Sequence, residues 1–155
     1  MIYIGIDVAK DKHDCFITNS DSEVLFKAFT ISNNLDGFND LYQKIESVMD
    51  DVTKVKVGLE ATGHYSYNLL GYLIDKGLPT YVINPLHTNL YRKSLSLRQT
   101  KTDKVDAHTI ASMLMSGRCE LKVLLRHILP QRRVKVIKPL MHDFCVLYSV
   151  FNVQF

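Results

Sequence analysis

The 155-residue chain has no tryptophan, three cysteines, four prolines and seven glycines, and it lacks any apolar run long enough to cross a bilayer. Each shortage closes off a class of protein. Cys15, Cys119 and Cys145 are far apart, odd in number and without C-x-x-C spacing. That excludes a disulfide scaffold and a cysteine-ligated zinc module, and the thiols are expected to be reduced, small apolar groups. A membrane span needs about 20 consecutive apolar residues. Met1-Ile2-Tyr3-Ile4-Gly5 has no basic residue ahead of its apolar run, so neither membrane insertion nor a secretory leader is expected, and the expected compartment is the cytoplasm. The sequence contains no internal repeat and no low-complexity tract.

What is there is a globular composition, 46% hydrophobic and 23% charged, sufficient for one domain with a buried core. The formal net charge of +3 conceals an asymmetry: residues 1–116 hold 12 Lys and Arg against 14 Asp and Glu, whereas residues 117–155 hold 7 against 2. An acidic body with basic flanks suits a polyanion gripped at its edges, without saying which polyanion.

Alternation along residues 2–7 sets Ile2, Ile4 and Ile6 on one face and Tyr3, Gly5 and Asp7 on the other. Residues 13–18 and 24–31 read as the next two strands, joined by Asn19-Ser20-Asp21-Ser22, so an antiparallel meander is expected. Asn34 caps a helix running to about Met49, whose Leu35, Phe38, Leu41, Tyr42, Ile45 and Val48 recur at helical spacing. Residues 54–59 form a strand that presents Lys56, Gly58 and Glu60 on one side. A helix over 65–76 stopped by Gly77, a short strand over 79–83 and a helix over 86–93 then give a β-α-β pattern. After the polar, basic stretch 94–101, Thr102 caps a helix begun by Asp103 and closed by Gly117. Residues 122–155, interrupted by Pro130 and Pro139, show no sustained period.

Four acids stand out. Asp7 and Glu60 each end a strand, with a glycine two residues before, and the glycines are expected to leave room for a metal, water and substrate beside the carboxylate. Asp103 and Asp106 head the apolar stripe of Ala107, Ile110, Ala111 and Leu114 and should face the sheet. Singly, each has an innocent reading: strand-end acids are commonly solvated, and first-turn acids suit the helix dipole. Together they would form a repulsive cluster that only cations relieve, and an oxygen-only cage is what hard Mg²⁺, or Mn²⁺, prefers. Lys10, Arg92, Lys93, Arg98, Lys101 and Lys104 flank the acids and could hold phosphates, or simply be a solvated surface. His13 and His64 lack ligand spacing and read as ordinary hydrogen-bonding residues, while His108 could orient a water or meet DNA. Tyr65 reads as packing at a helix start.

Four ordered motifs carry a resemblance: Ile4-Gly5-Ile6-Asp7-Val8-Ala9-Lys10, Leu59-Glu60-Ala61-Thr62-Gly63, Val82-Ile83-Asn84-Pro85 and Lys101-Thr102-Asp103-Lys104-Val105-Asp106-Ala107. Over about residues 1–121 the chain resembles the N-terminal domain of the DEDD, RuvC-like transposases of bacterial insertion sequences, which include the Piv-type invertases. The resemblance implies an α/β, RNase H-like mixed sheet flanked by helices, with Asp7, Glu60, Asp103 and Asp106 binding divalent metal for DNA strand cleavage and transfer. Family members carry a further C-terminal domain with a serine nucleophile, and some use a structured guide RNA. Residues 122–155 do not resemble the family linker, so a truncated or frameshifted product is expected, with its apolar end, residues 144–155, favouring homo-oligomers.

Two other classes compete. A sugar-kinase or actin-like ATPase also runs its first strand into Gly-Ile-Asp, but needs a glycine- and hydroxyl-rich hairpin next, and Val8-Ala9-Lys10-Asp11 supplies neither. A non-catalytic module binding nucleic acid or a partner would keep the metal site without cleaving.

Overall fold

A computed structural model describes residues 1–60, 63–95 and 103–117, without the side chains of residues 95 and 103–105. Five strands form one mixed sheet in the order β3-β2-β1-β4-β5. The first three, β1 (Ile2–Val8), β2 (Lys12–Asn19) and β3 (Val24–Ser32), are the expected antiparallel meander, while β4 (Val55–Glu60) and β5 (Thr80–Ile83) add in parallel. This is the expected α/β class, a mixed sheet flanked by helices. The switch has a covalent reason, since antiparallel neighbours are joined by tight turns and parallel ones need a crossover, here helical.

Helix α1 (Leu35–Val48) starts where Asn34 Oδ1 accepts from the Gly37 amide at 2.9 Å. It buries Phe38, Leu41 and Ile45, whereas Leu35, expected on that stripe, is exposed. Helix α2 (Tyr67–Asp75), preceded by a 3₁₀ turn over Gly63–Ser66, buries Leu69, Leu70 and Leu73. Tyr72 of α2 lies against Phe38 and Tyr42, and its hydroxyl donates to Asn39 Oδ1 at 2.7 Å, so the two helices share a face. That face carries Ile4, Ile6, Cys15, Ile17, Val55, Val57 and Leu59, all fully buried. Each aliphatic side chain there contributes roughly 1.5–3 kcal/mol.

The opposite face is covered by α4 (Asp103–Met115), with α3 (Pro85–Leu95) beside it. Gly77 and Gly117 end α2 and α4 at φ of +74° and +71°, a conformation costly for any residue with a Cβ. Among the described residues no helix is long and apolar enough to cross a membrane. Thr102, Arg98, Lys101, Cys119, Cys145 and the tail 122–155 lie outside the described residues, as do the side chains of Asp103 and Lys104.

Candidate metal and nucleic-acid site

Strand alternation aims Asp7 at the α4 side of the sheet. Gly5 pairs with Gly58 and Ile6 with Leu59, so carrying the parallel register one residue further sets Asp7 beside Glu60 at the C-terminal ends of neighbouring strands. Both are half-buried, and both interact with neighbouring groups.

The glycines before them have a different purpose from the one expected. A Cβ built on Gly5 would fall on the Ala107 carbonyl oxygen and within 2.6 Å of the Ala111 nitrogen. One on Gly58 would meet Ile110 Cγ2 at 2.8 Å and Leu114 Cδ1 at 2.9 Å. The cleared space is therefore filled by α4, which lies with its backbone on β1, and Phe16 joins Ala107 and Ala111 in that contact. Glycine makes room for the helix, and the helix brings the acid.

The direction of α4 follows from its far end. Ser22 Oγ donates to Met115 Sδ at 3.8 Å, and the turn holding Ser22 sits at the start of β1, where the Ser20 amide donates to the Met1 carbonyl at 2.9 Å. The N-terminal end of α4 thus lies toward the strand ends that carry Asp7 and Glu60. Asp106 is there, one residue before Ala107, and is only 9% exposed. Asp103 opens the helix, its carboxylate outside the described set. Asp106 Oδ1 accepts a charged hydrogen bond from Arg92 Nη1, and Arg92 Nη2 donates to Asn89 Oδ1 at 3.0 Å. Among the described residues no three His, Cys, Asp or Glu form a ready-made metal cage. Three of the four expected acids lie toward one end of one sheet face, short of a metal-holding group among the described residues; the fourth begins the same helix.

Sequence reading missed a fifth acid. Asp14 pairs with Asp7 across β1 and β2, hence on the same face, and is 7% exposed. Its Oδ1 accepts from Thr30 Oγ1 at 2.5 Å. Like charges directly opposite on a sheet destabilise it unless something compensates. The signal was available, because a hairpin turning over Lys10 and Asp11, with Ala9 opposite Lys12, sets residue 7 opposite residue 14.

Lys10 is exposed in that turn, at the end of β1, and its carbonyl accepts from Asn33 Nδ2 at 2.8 Å. Lys93 is exposed on α3. His108 is exposed and edge-on to Phe16, with ring centroids 4.8 Å apart. His64 lies on Tyr65 at 4.3 Å. His13 departs from expectation: it is fully buried on the α1 side, stacks on Phe38, and neither ring nitrogen has a hydrogen-bond partner among the described residues. Burial pushes its pKa below the usual 6.5, outweighing the nearby Asn33, the Lys12 backbone and Asp14.

A family model described as transposase, of the DEDD type found in IS110-like elements, matches residues 4–127. The chain belongs to the DEDD transposase family. Two curated relatives, the pilin gene-inverting proteins of Moraxella lacunata and Moraxella bovis, are 38% and 37% identical over 110 residues. Each match covers 70% of this chain and 33% of the relative, so the chain spans about a third of the length of these curated family members. Among solved structures, the chain is similar to Thermus thermophilus RuvC and to T. thermophilus RuvC in complex with Holliday junction substrate. Both superpose at a TM-score of 0.49, with 14% and 13% identity, over 76% of this chain and 96% and 95% of theirs.

Proposed function

We propose that this chain is the metal-dependent DNA-cleaving domain of a transposase or invertase, spanning about residues 1–121, with Asp7, Glu60, Asp103 and Asp106 holding Mg²⁺ or Mn²⁺. The observation that carries this reading is the placement of Asp7, Glu60 and Asp106 toward the same end of the α4 face. The residues suit the ion. All donors are hard oxygens, Asp7 and Asp14 add two carboxylates opposite each other on the same face, and Asp106 already draws a cationic partner in Arg92. A bound divalent ion would polarise a phosphodiester and stabilise the charge that develops on its oxygens. The chain's own residues position it: Asp7 and Glu60 anchor from the sheet, Asp103 and Asp106 from the helix. Lys10, Arg92, Lys93, Arg98, Lys101 and Lys104 hold the DNA backbone.

Family membership supports recombination as the setting, and the names of the curated relatives support DNA inversion as one form of it. The serine nucleophile that the resemblance implies would come from a further domain. A structured guide RNA and a homo-oligomer are the other partners of this proposal. The test is nicking and binding of branched and element-end DNA with Mg²⁺ or Mn²⁺, wild type against Asp7→Ala. Metal-dependent nicking lost in the variant is expected. Equal behaviour of the two proteins, with metal bound equally well, rejects the assignment, and metal-dependent binding without any nicking would leave the chain a binding module.

A further inference from the structure

Arg92 stands in the last turn of α3 with one arm on Asp106 and another on Asn89, and the Arg92 and Asp106 side chains are only 22% and 12% exposed. A guanidinium is a planar cation with five N–H donors, shaped to grip carboxylate or phosphate in the same way. Asp106 lies in the first turn of α4, among the acids proposed to take a divalent ion. An arginine nitrogen and a dication cannot both sit in contact with one carboxylate oxygen without strong mutual repulsion. An ion that takes Oδ1 of Asp106 therefore competes with Arg92.

We infer that Arg92 is an exchangeable counter-ion: it neutralises Asp106 in the metal-free protein, is displaced when the divalent ion enters, and then takes a phosphate of the strand lying over the centre. This rests on the metal reading proposed above. Two consequences follow from linkage. Arg92 competes with the metal, so metal affinity in the absence of nucleic acid is reduced by the fraction of molecules in which Asp106 is occupied. Metal and DNA also bind cooperatively, because each favours the state with Arg92 released, and the coupling is reciprocal. Asn89 tunes the exchange by holding Nη2 on the α3 side.

The experiment is Mn²⁺ binding to the full 155-residue chain, followed by the electron paramagnetic signal of free Mn²⁺, with and without a four-way DNA junction. Wild type is compared with Arg92→Gln and Asn89→Ala, with thermal unfolding to verify that each variant folds. Arg92→Gln should bind Mn²⁺ about five- to tenfold more tightly without DNA and lose the further tightening that DNA gives the wild type. Asn89→Ala should shift affinity in the same direction by less and keep the DNA effect. Unchanged or weaker Mn²⁺ binding by Arg92→Gln, while wild type binds normally, overturns the exchange and leaves the metal site standing. Tighter binding with the DNA effect intact overturns the transfer of Arg92 to phosphate. A wild type that binds no Mn²⁺ under either condition removes the metal reading and this inference together.

Discussion

Replacing Gly5 by alanine tests how the site is assembled. The new methyl carbon would lie on the Ala107 carbonyl oxygen, 2.6 Å from the Ala111 nitrogen and 3.1 Å from the Ala107 carbonyl carbon. All three are helix backbone, so no side chain can rotate away, and α4 must withdraw by on the order of 1 Å from a close-packed interface. Overpacking of this kind costs about 1–3 kcal/mol and sometimes more. Alanine returns roughly 0.5–1 kcal/mol of that through lower backbone entropy in the unfolded strand. Because the clash is with backbone, the upper end of that cost applies: a net loss of about 1.5–2.5 kcal/mol is expected in urea unfolding, and a drop in melting temperature of about 3–10 °C. Gly58→Ala is the internal control. The atoms nearest its methyl are side-chain carbons of Ile110, Leu114 and Ile83, at 2.8, 2.9 and 3.1 Å, which yield more readily than helix backbone, so its loss should stay below about 1.5 kcal/mol. Since α4 carries Asp106, Gly5→Ala should also weaken Mn²⁺ binding more than Gly58→Ala does. If Gly5→Ala is as stable as wild type, or Gly58→Ala is the more damaging, α4 does not pack on β1 as described.

His13 should make stability pH-dependent. Its folded pKa lies below the unfolded value of 6.5 because burial disfavours the imidazolium, so the unfolded chain takes the proton more readily. The stabilisation is present in full above pH 6.5 and is lost as pH falls from there through the folded value, at up to about 1.4 kcal/mol per pH unit. Urea titrations of wild type and His13→Leu from pH 7.5 to 5 should diverge, with the variant flatter; parallel curves would show that His13 is not a buried neutral ring. Cys15, fully buried, has its thiol pushed well above the usual range by burial first and by Asp14 second. Iodoacetamide at pH 8 should leave Cys15 unmodified in native protein and alkylate it in urea, as read by peptide mass spectrometry. Rapid native labelling would place Cys15 at the surface.

The order of elements was legible because alternation and helical spacing are local signals, and each strand and helix of the sheet and its covers appears where those periods put it. Their partners were not. Gly5 and Gly58 announced that something comes close to the sheet, but a missing side chain cannot say whether ligand or helix fills the space; here it is α4. Asp14 escaped notice because its relation to Asp7 exists only across a hairpin register. The charge of Arg92 fits a phosphate contact or a solvated surface equally, and its engagement with Asp106 depends on how α3 lies along α4, which no period encodes. The lack of ligand spacing around His13 says nothing of its surroundings, and its place in β2 opposite Val8 buries it.

The central claim is that acids remote in sequence hold one divalent centre at the strand ends under α4. Crystals of the full chain grown with Mn²⁺ and measured above and below the manganese absorption edge test it most directly. An anomalous peak in contact with Asp7, Glu60 and Asp106 is the predicted result. A fully occupied peak elsewhere, or none at Mn²⁺ concentrations that saturate binding in solution, would contradict it.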